Sequence, residues 1–138
     1  MNMYLEHANL TVRNLDRTVR FLQAALPEVR IRGRGMGLQG PWLHIGTDES
    51  YLALQEASQD QGGARSSYAD LGVNHLGFVV GDADGVRKRL SDAGYREGFE
   101  APDHPFRQRV YFYDDDDNEF EFVQYRSADP AERNDYSR

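Results

Sequence analysis

Two histidines and one glutamate are the side chains whose types and spacing suggest chemistry. His7 and His75 lie 68 positions apart, and Glu121 lies in a third segment of alternating apolar and polar residues. Because alternate strand residues face opposite sides of a sheet, all three are predicted to point away from the apolar core. Two imidazole nitrogens and a carboxylate oxygen suit a first-row divalent metal ion, with positions left for water or substrate. The alternative is two ordinary, partly buried histidines and a solvated carboxylate.

The elements that must position these side chains form an internal repeat. A shift of 68 residues aligns His7 with His75, and each half opens with a predicted strand, 7–12 and 75–80, followed by an amphipathic helix. Asn14 or Asp16 is expected to cap the first helix and Asp82 the second. Further strands are predicted at 29–32, 42–45 and 51–56, then near Phe99 and at 110–113 and 120–125. The glycine-rich stretch 33–40 is predicted to be a mobile loop.

This repeat predicts one domain made of two modules. The boundaries are a first module at about 4–56, a linker at 57–70, a second module at about 71–125 and a polar tail at 126–138. The tail is expected to lie on the surface or fray, unless a partner chain holds it.

Composition narrows the class of function. The 138 residues include no cysteine, so a metal must be held by His, Asp or Glu. The net charge of -7, from 23 acidic and 16 basic residues, argues against nucleic acid as a partner and leaves small molecules. Neither a signal peptide nor a membrane-spanning stretch is recognisable, so a cytoplasmic protein without membrane contacts is expected.

Three segments resemble the vicinal oxygen chelate superfamily, which includes glyoxalase I, extradiol dioxygenases, fosfomycin-resistance thiol transferases and bleomycin-resistance proteins. They are EHANLTVRNLDRTVRFL, NHLGFVVGDADGVRKRLSDAG and RVYFYDDDDNEFEFVQY. The resemblance implies an α+β fold, in which two βαβββ modules form a cupped mixed sheet with the helices outside. It implies His7, His75 and Glu121 as ligands of a divalent ion (Mn, Fe, Ni or Zn), and a homodimer.

The chain departs from the family pattern at two places. Asp115 stands where the family often has proline and Asp117 where it often has glycine, but aspartate tolerates a left-handed backbone, so the turn is expected to survive. The aspartate run is interpreted as a solvated acidic turn, with a second cation site as the alternative. The shift sets Ala53 opposite Glu121, which leaves a fourth ligand position empty; after a register change Gln55 could fill it instead.

Other polar and aromatic residues are candidates for a substrate pocket. His104 and Arg107 lie in a proline-confined loop that could form a lid, where His104 would be an acid or base and an arginine would hold an anion. The alternative is a rigid surface loop with solvated charges. The candidate pocket residues are Asn9, Thr11, His104, Arg107, Arg109, Tyr111 and Tyr113, with Trp42 and His44 at equivalent places in the first copy.

Two functions are compatible with these features. The first is a metal-dependent enzyme of the glyoxalase-like type, in which the cation chelates vicinal oxygens of a small substrate. A lyase, a thiol transferase or a dioxygenase would fit, and the sequence selects neither the substrate nor the catalytic residues. The second is a metal-free small-molecule binding protein of the bleomycin-resistance type.

Overall fold

The chain folds as two units, each with a β-sheet whose one face is packed by a helix. The computed structural model describes residues 3–59, 63 and 66–137. The units are Met1–Ala64 and Arg65–Arg138, so the division falls within the predicted linker, part of which lies outside the described residues. Within the described part of the chain, no helix is long and apolar enough to cross a membrane.

The first unit has the βαβββ order that the repeat predicts. Its elements are β1 (His7–Val12), α1 (Leu15–Ala25), β2 (Arg30–Gly37), β3 (Gly40–Gly46) and β4 (Tyr51–Glu56). The sheet order is β1-β4-β3-β2, with β1 parallel to β4 and the other pairs antiparallel. Leu43, Ile45 and Leu54 are buried on one face of this sheet, and Phe21 and Leu22 of α1 are buried as well. On the opposite face, His7, Asn9 and Thr11 of β1 are exposed, and this side is called the open face.

The second unit repeats this order with one strand fewer. Its elements are β5 (His75–Val79), α2 (Ala83–Asp92), β6 (Arg107–Tyr113), β7 (Glu119–Tyr125) and the short α3 (Pro130–Arg133). The sheet order is β5-β7-β6, with β5 parallel to β7. A strand is expected near Phe99, but the structure has an isolated bridge between Glu97 and Phe112 instead. The two mixed sheets with helices confirm the predicted α+β class.

The core of the second unit centres on the apolar face of β7. Phe120 and Phe122 are 1% and 0% exposed. The ring of Phe78 stacks on both, with centroid distances of 6.3 and 6.0 Å. Because residues of β7 alternate between faces, the two phenylalanines anchor the strand while Glu119 and Glu121 point to the other side.

Both helices begin at residues that the sequence identifies. Asn14 caps α1, since its Oδ1 accepts a hydrogen bond from the backbone N–H of Arg17 at 2.9 Å. Asp82 caps α2 in the same way, accepting from Gly85 at 2.9 Å. Of the two candidates for the first cap, the structure therefore selects Asn14 over Asp16.

A second hydrogen bond at each helix start comes from the last strand of the same unit. Glu56 Oε2 accepts from the backbone N–H of Leu15 at 3.0 Å. Gln124 Oε1 accepts from the backbone N–H of Ala83 at 2.9 Å. The two pairs are related by the repeat, so each unit joins its last strand to the first turn of its helix.

The glycine-rich stretch 33–40 is not a loop, and this prediction was wrong. Residues 33–37 belong to β2, which pairs with β3 through Gly33, Gly35 and Gly37. The indole of Trp42 lies against this strand, so that a Cβ at Gly35 would come within 3.0 Å of the ring. The glycines therefore make room for an aromatic ring, which periodicity alone does not indicate.

The turn before β7 is organised by Asp114, which is 6% exposed. Its Oδ1 accepts from the backbone N–H groups of Asp116 and Asn118 at 2.9 and 2.8 Å. Asp117 adopts the left-handed conformation with φ 60°, as expected for an aspartate at the family's glycine position. One aspartate of the four is thus buried and holds the turn that precedes Glu121.

Asp114→Ala is expected to lower the free energy of unfolding by about 1–3 kcal/mol, because two partly buried backbone N–H groups lose their acceptor. Urea denaturation measures the change. Asp103→Ala, at an exposed aspartate of the same unit, is the matched control and should stay within about 0.5 kcal/mol of the wild type. Equal effects of the two variants would contradict the role given to Asp114.

Candidate functional site

His75 and Glu121 lie side by side on the face of the second sheet that is opposite Phe120 and Phe122. Glu121 pairs with Gly77, two residues beyond His75 on the adjacent strand. His75 Nε2 and Glu121 Oε2 are 3.0 Å apart, and the two side chains are 30% and 16% exposed. Two donor atoms about 2.1 Å from one ion and at right angles to each other would have about this separation. The pair fits two adjacent positions of a divalent metal site.

The other ring nitrogen of His75 contacts Tyr68. His75 Nδ1 lies 3.0 Å from the Tyr68 hydroxyl, which donates to Glu119 Oε1 at 2.5 Å. Glu119 is 4% exposed. The hydrogen bond to Glu119, together with burial, raises the pKa of Tyr68 well above its usual value, so the hydroxyl keeps its proton.

Two further tyrosines lie on this face, as the alternation of β6 predicts. Tyr111 pairs with Glu121 and Tyr113 with Glu119. The ring of Tyr111 meets that of His75 edge to face, with centroids 5.7 Å apart. Burial, then the charge of Glu121, raises the pKa of Tyr111 to about 12. Burial and a hydrogen bond to Glu119 likewise raise the pKa of Tyr113.

The raised pKa of Tyr111 should make the stability of the protein depend on pH in the alkaline range. Since the pKa of Tyr111 is raised from 10 to about 12 in the folded chain, its stabilising contribution is complete below about pH 10 and is lost between about pH 10 and 12, up to about 2–3 kcal/mol. Urea denaturation at pH 9, 10 and 11 should therefore give a steeper loss of stability for the wild type than for Tyr111→Phe. Parallel pH profiles for the two proteins would contradict this assignment.

In the first unit, His7 lies beside aromatic rings on the open face. Its ring stacks on Tyr51, with centroids 4.9 Å apart. The ring of His44 also meets Tyr51 at 4.9 Å and that of Trp42 at 5.0 Å. The guanidinium of Arg32 lies 3.9 Å from the centre of the Tyr51 ring. This face therefore offers a row of flat rings next to an accessible imidazole.

A carboxylate holds one nitrogen of His7. His7 Nδ1 and Glu6 Oε1 are 2.9 Å apart. The hydrogen bond to His7 is the main reason that the pKa of Glu6 lies below its usual value. With Nδ1 held in this way, the lone pair of a neutral His7 would be on Nε2, the arrangement that metal-binding histidines commonly adopt.

The register of β4 bears on the fourth ligand position. Ala53 pairs with Asn9, just as Glu121 pairs with Gly77 in the second unit. The register change that would move Gln55 into this place does not occur, since Gln55 pairs with Thr11.

The amide of Gln55 is also engaged elsewhere. Its Nε2 donates to the backbone carbonyls of Gln39 and Pro41 at 2.9 and 3.1 Å. The predicted pocket residues Asn9 and Thr11 share its face of the sheet and are exposed.

His104 and Arg107 lie against the C-terminal segment, not on a mobile lid. His104 Nδ1 accepts from the backbone N–H of Phe106, and Nε2 donates to the carbonyl of Asp135, both at 3.2 Å. Arg107 donates to the carbonyl of Arg133 at 3.0 Å. These contacts hold the described part of the tail, residues 126–137, on the surface of the second unit. Arg109 differs, because it interacts with Tyr111 on the face that carries Glu121.

No group of three or more His, Asp or Glu side chains among the described residues forms a complete metal site. The donor set is nevertheless chemically suitable, because His75 and Glu121 supply one nitrogen and one oxygen at an accessible position. Tyr68 was not among the predicted site residues, because it lies in the predicted linker and belongs to no motif. Glu119 could have been predicted as a site residue, since the alternation of β7 places it on the same face as Glu121.

Comparisons with known proteins agree with the family that the sequence resembles and with this fold. The family model Glyoxalase/Bleomycin resistance protein/Dioxygenase superfamily matches residues 4–122. A solved structure described as a glyoxylase/bleomycin resistance protein/dioxygenase domain from Frankia sp. EAN1pec is 27% identical, with a TM-score of 0.74, and covers 91% of this chain and 100% of its own.

Two fosfomycin resistance proteins, both named FosX, have the same fold. The one from Mesorhizobium loti is 23% identical with a TM-score of 0.62, covering 88% of this chain and 91% of its own. The one from Listeria monocytogenes, complexed with Mn(II) and a sulfate ion, is 21% identical with a TM-score of 0.69, covering 96% of each chain. At these identities the likeness concerns the fold alone. By sequence, no curated protein matches the chain.

Proposed function

Because the chain belongs to the Glyoxalase/Bleomycin resistance protein/Dioxygenase superfamily, we propose that it is a metal-dependent enzyme acting on a small molecule. His75 and Glu121 would be two ligands of a divalent ion, and His7, the equivalent of His75 in the repeat, would be the third. The observation that supports this best is the 3.0 Å separation between His75 Nε2 and Glu121 Oε2 on an accessible face.

The bound ion would act as a Lewis acid toward vicinal oxygens of the substrate. The side chains of the chain have separate tasks. Tyr111, whose protonated hydroxyl donates a hydrogen bond to Glu121, would orient this carboxylate toward the ion. Arg109, beside Tyr111, supplies a positive charge for an anionic group.

The residues at the fourth ligand position suggest how many protein ligands the metal site has. Ala53 offers no donor atom at the place equivalent to Glu121, and Gln55 lies two residues along β4, with its Nε2 held by two carbonyls at the β2–β3 turn. We therefore propose three protein ligands, with the remaining positions open to the substrate. A lyase, a thiol transferase or a dioxygenase is compatible with such a site, and a homodimer is the expected assembly.

A metal-free binding protein is the second candidate, supported by the row of rings at Tyr51, His44 and Trp42. Metal analysis separates the two functions. After removal of bound ions, the protein is loaded separately with Mn, Fe, Ni or Zn, and the retained metal is counted. The enzyme requires about one ion per chain with at least one of these metals, whereas the absence of stoichiometric binding with all four would overturn the proposal.

A further inference from the structure

Resting on the proposed metal site, we infer that Tyr68 and Glu119 are positioning residues that set the tautomer of His75. The three groups form a chain of hydrogen bonds within the second unit. His75 Nδ1 is 3.0 Å from the Tyr68 hydroxyl, and that hydroxyl is 2.5 Å from Glu119 Oε1.

The directions of these bonds follow from their donors. Glu119 is buried and, as a carboxylate, can only accept hydrogen bonds. The Tyr68 hydroxyl therefore donates its single proton to the hydrogen bond with Glu119. The Tyr68 oxygen is then left to accept, and the only donor that His75 can offer it is Nδ1–H. In a neutral imidazole the other nitrogen, Nε2, then carries the lone pair and faces Glu121.

Without this relay the opposite tautomer would be favoured. Glu121 Oε2 lies 3.0 Å from His75 Nε2, so the negative charge of that carboxylate would attract a proton on Nε2. A proton on Nε2 would leave this nitrogen without a lone pair for an ion. The relay holds the proton on the far nitrogen and leaves the pair available to an ion.

The backbone conformation of Tyr68 also indicates that this residue is held in place. Its φ of 66° is in the left-handed region. This conformation is unfavourable for any residue that carries a side chain. Asn74, next to His75, holds this conformation by accepting from the backbone N–H of Tyr68 at 2.7 Å. His7, in contrast, contacts the carboxylate of Glu6 directly.

Tyr68→Phe tests the relay, because it removes one exposed hydroxyl and keeps the ring. Its Mn²⁺ dissociation constant, measured by EPR of the free ion, should rise about 10- to 100-fold. In the metal-free protein, two-dimensional ¹⁵N NMR of the imidazole should show the proton of His75 moving from Nδ1 toward Nε2. The spectra are recorded well above pH 6.5, because the ordinary histidine pKa is about 6.5. His75→Gln identifies the signals, and Tyr136→Phe, at an exposed tyrosine of the same unit, should change neither quantity.

The outcomes separate this inference from the proposed function. An unchanged tautomer and an unchanged Mn²⁺ dissociation constant in Tyr68→Phe would overturn the relay while the metal site stands. If the wild type binds no Mn²⁺, the NMR measurement on the metal-free protein still decides the relay. Glu119→Gln keeps an oxygen that can accept from Tyr68, so its dissociation constant should lie between those of the wild type and Tyr68→Phe.

Discussion

Glu121→Gln should abolish stoichiometric metal binding. The substitution keeps the size of the side chain but removes the negative charge and replaces one donor oxygen with an amide nitrogen that has no lone pair for a cation. Loss of a ligand should exceed the roughly 10- to 100-fold cost of altering an outer contact, so the metal dissociation constant should rise by more than about 100-fold. Elemental analysis after gel filtration measures the retained ion.

The matched control is Glu49→Gln, at an exposed carboxylate in the turn between β3 and β4. This variant should retain as much metal as the wild type. The fold should also survive in Glu121→Gln, because Phe120 and Phe122 hold β7 from the other face, and circular dichroism checks this. A folded Glu121→Gln protein that retains one ion per chain would exclude Glu121 as a ligand.

Phe122→Ala should have the largest effect on stability. Phe122 is 0% exposed and stacks on Phe78, so the substitution removes buried ring surface and leaves a cavity. The expected loss is about 3–5 kcal/mol, a large part of the roughly 5–15 kcal/mol that stabilises a typical domain. Chemical denaturation followed by tryptophan fluorescence and circular dichroism gives the free energy of unfolding.

Phe99→Ala makes the same deletion at a ring that is 56% exposed. It should cost about 1 kcal/mol, since a half-exposed ring loses little buried surface and one edge-to-face contact with Tyr111. Comparable losses in the two variants would show that β7 is not anchored by its apolar face. The metal affinity of a folded Phe122→Ala protein should also fall, because Glu121 is the next residue on the strand.

The repeat explains why so much of the fold could be predicted. β1 begins at His7 and ends at Val12 as expected, and β5 begins at His75, because alternation and helix caps are local signals. The start of β2 agrees with the strand predicted at 29–32, but the loop predicted at 33–40 was wrong, since the glycines make room for the indole of Trp42 on the neighbouring strand. A residue pattern does not contain that contact.

The candidate site, like the fold, was predictable where local alternation determines which face a side chain occupies. Alternation places His75 and Glu121 on one face, and the structure brings them within 3.0 Å. Tyr68 could not be found, because its role depends on a left-handed backbone in a segment without periodicity. For His104 and Arg107 the sequence left a lid and a rigid loop as alternatives, since their partners lie about 30 positions away, at Asp135 and Arg133.

The hydrogen bonds from Glu56 to Leu15 and from Gln124 to Ala83 have a kinetic consequence. Each closes a span of 41 residues, so the first turn of each helix is completed only after the last strand of its unit has docked. Closing such a loop costs entropy before the contact can stabilise anything. Each unit is therefore expected to fold and unfold cooperatively, with its helix start forming late in the folding reaction.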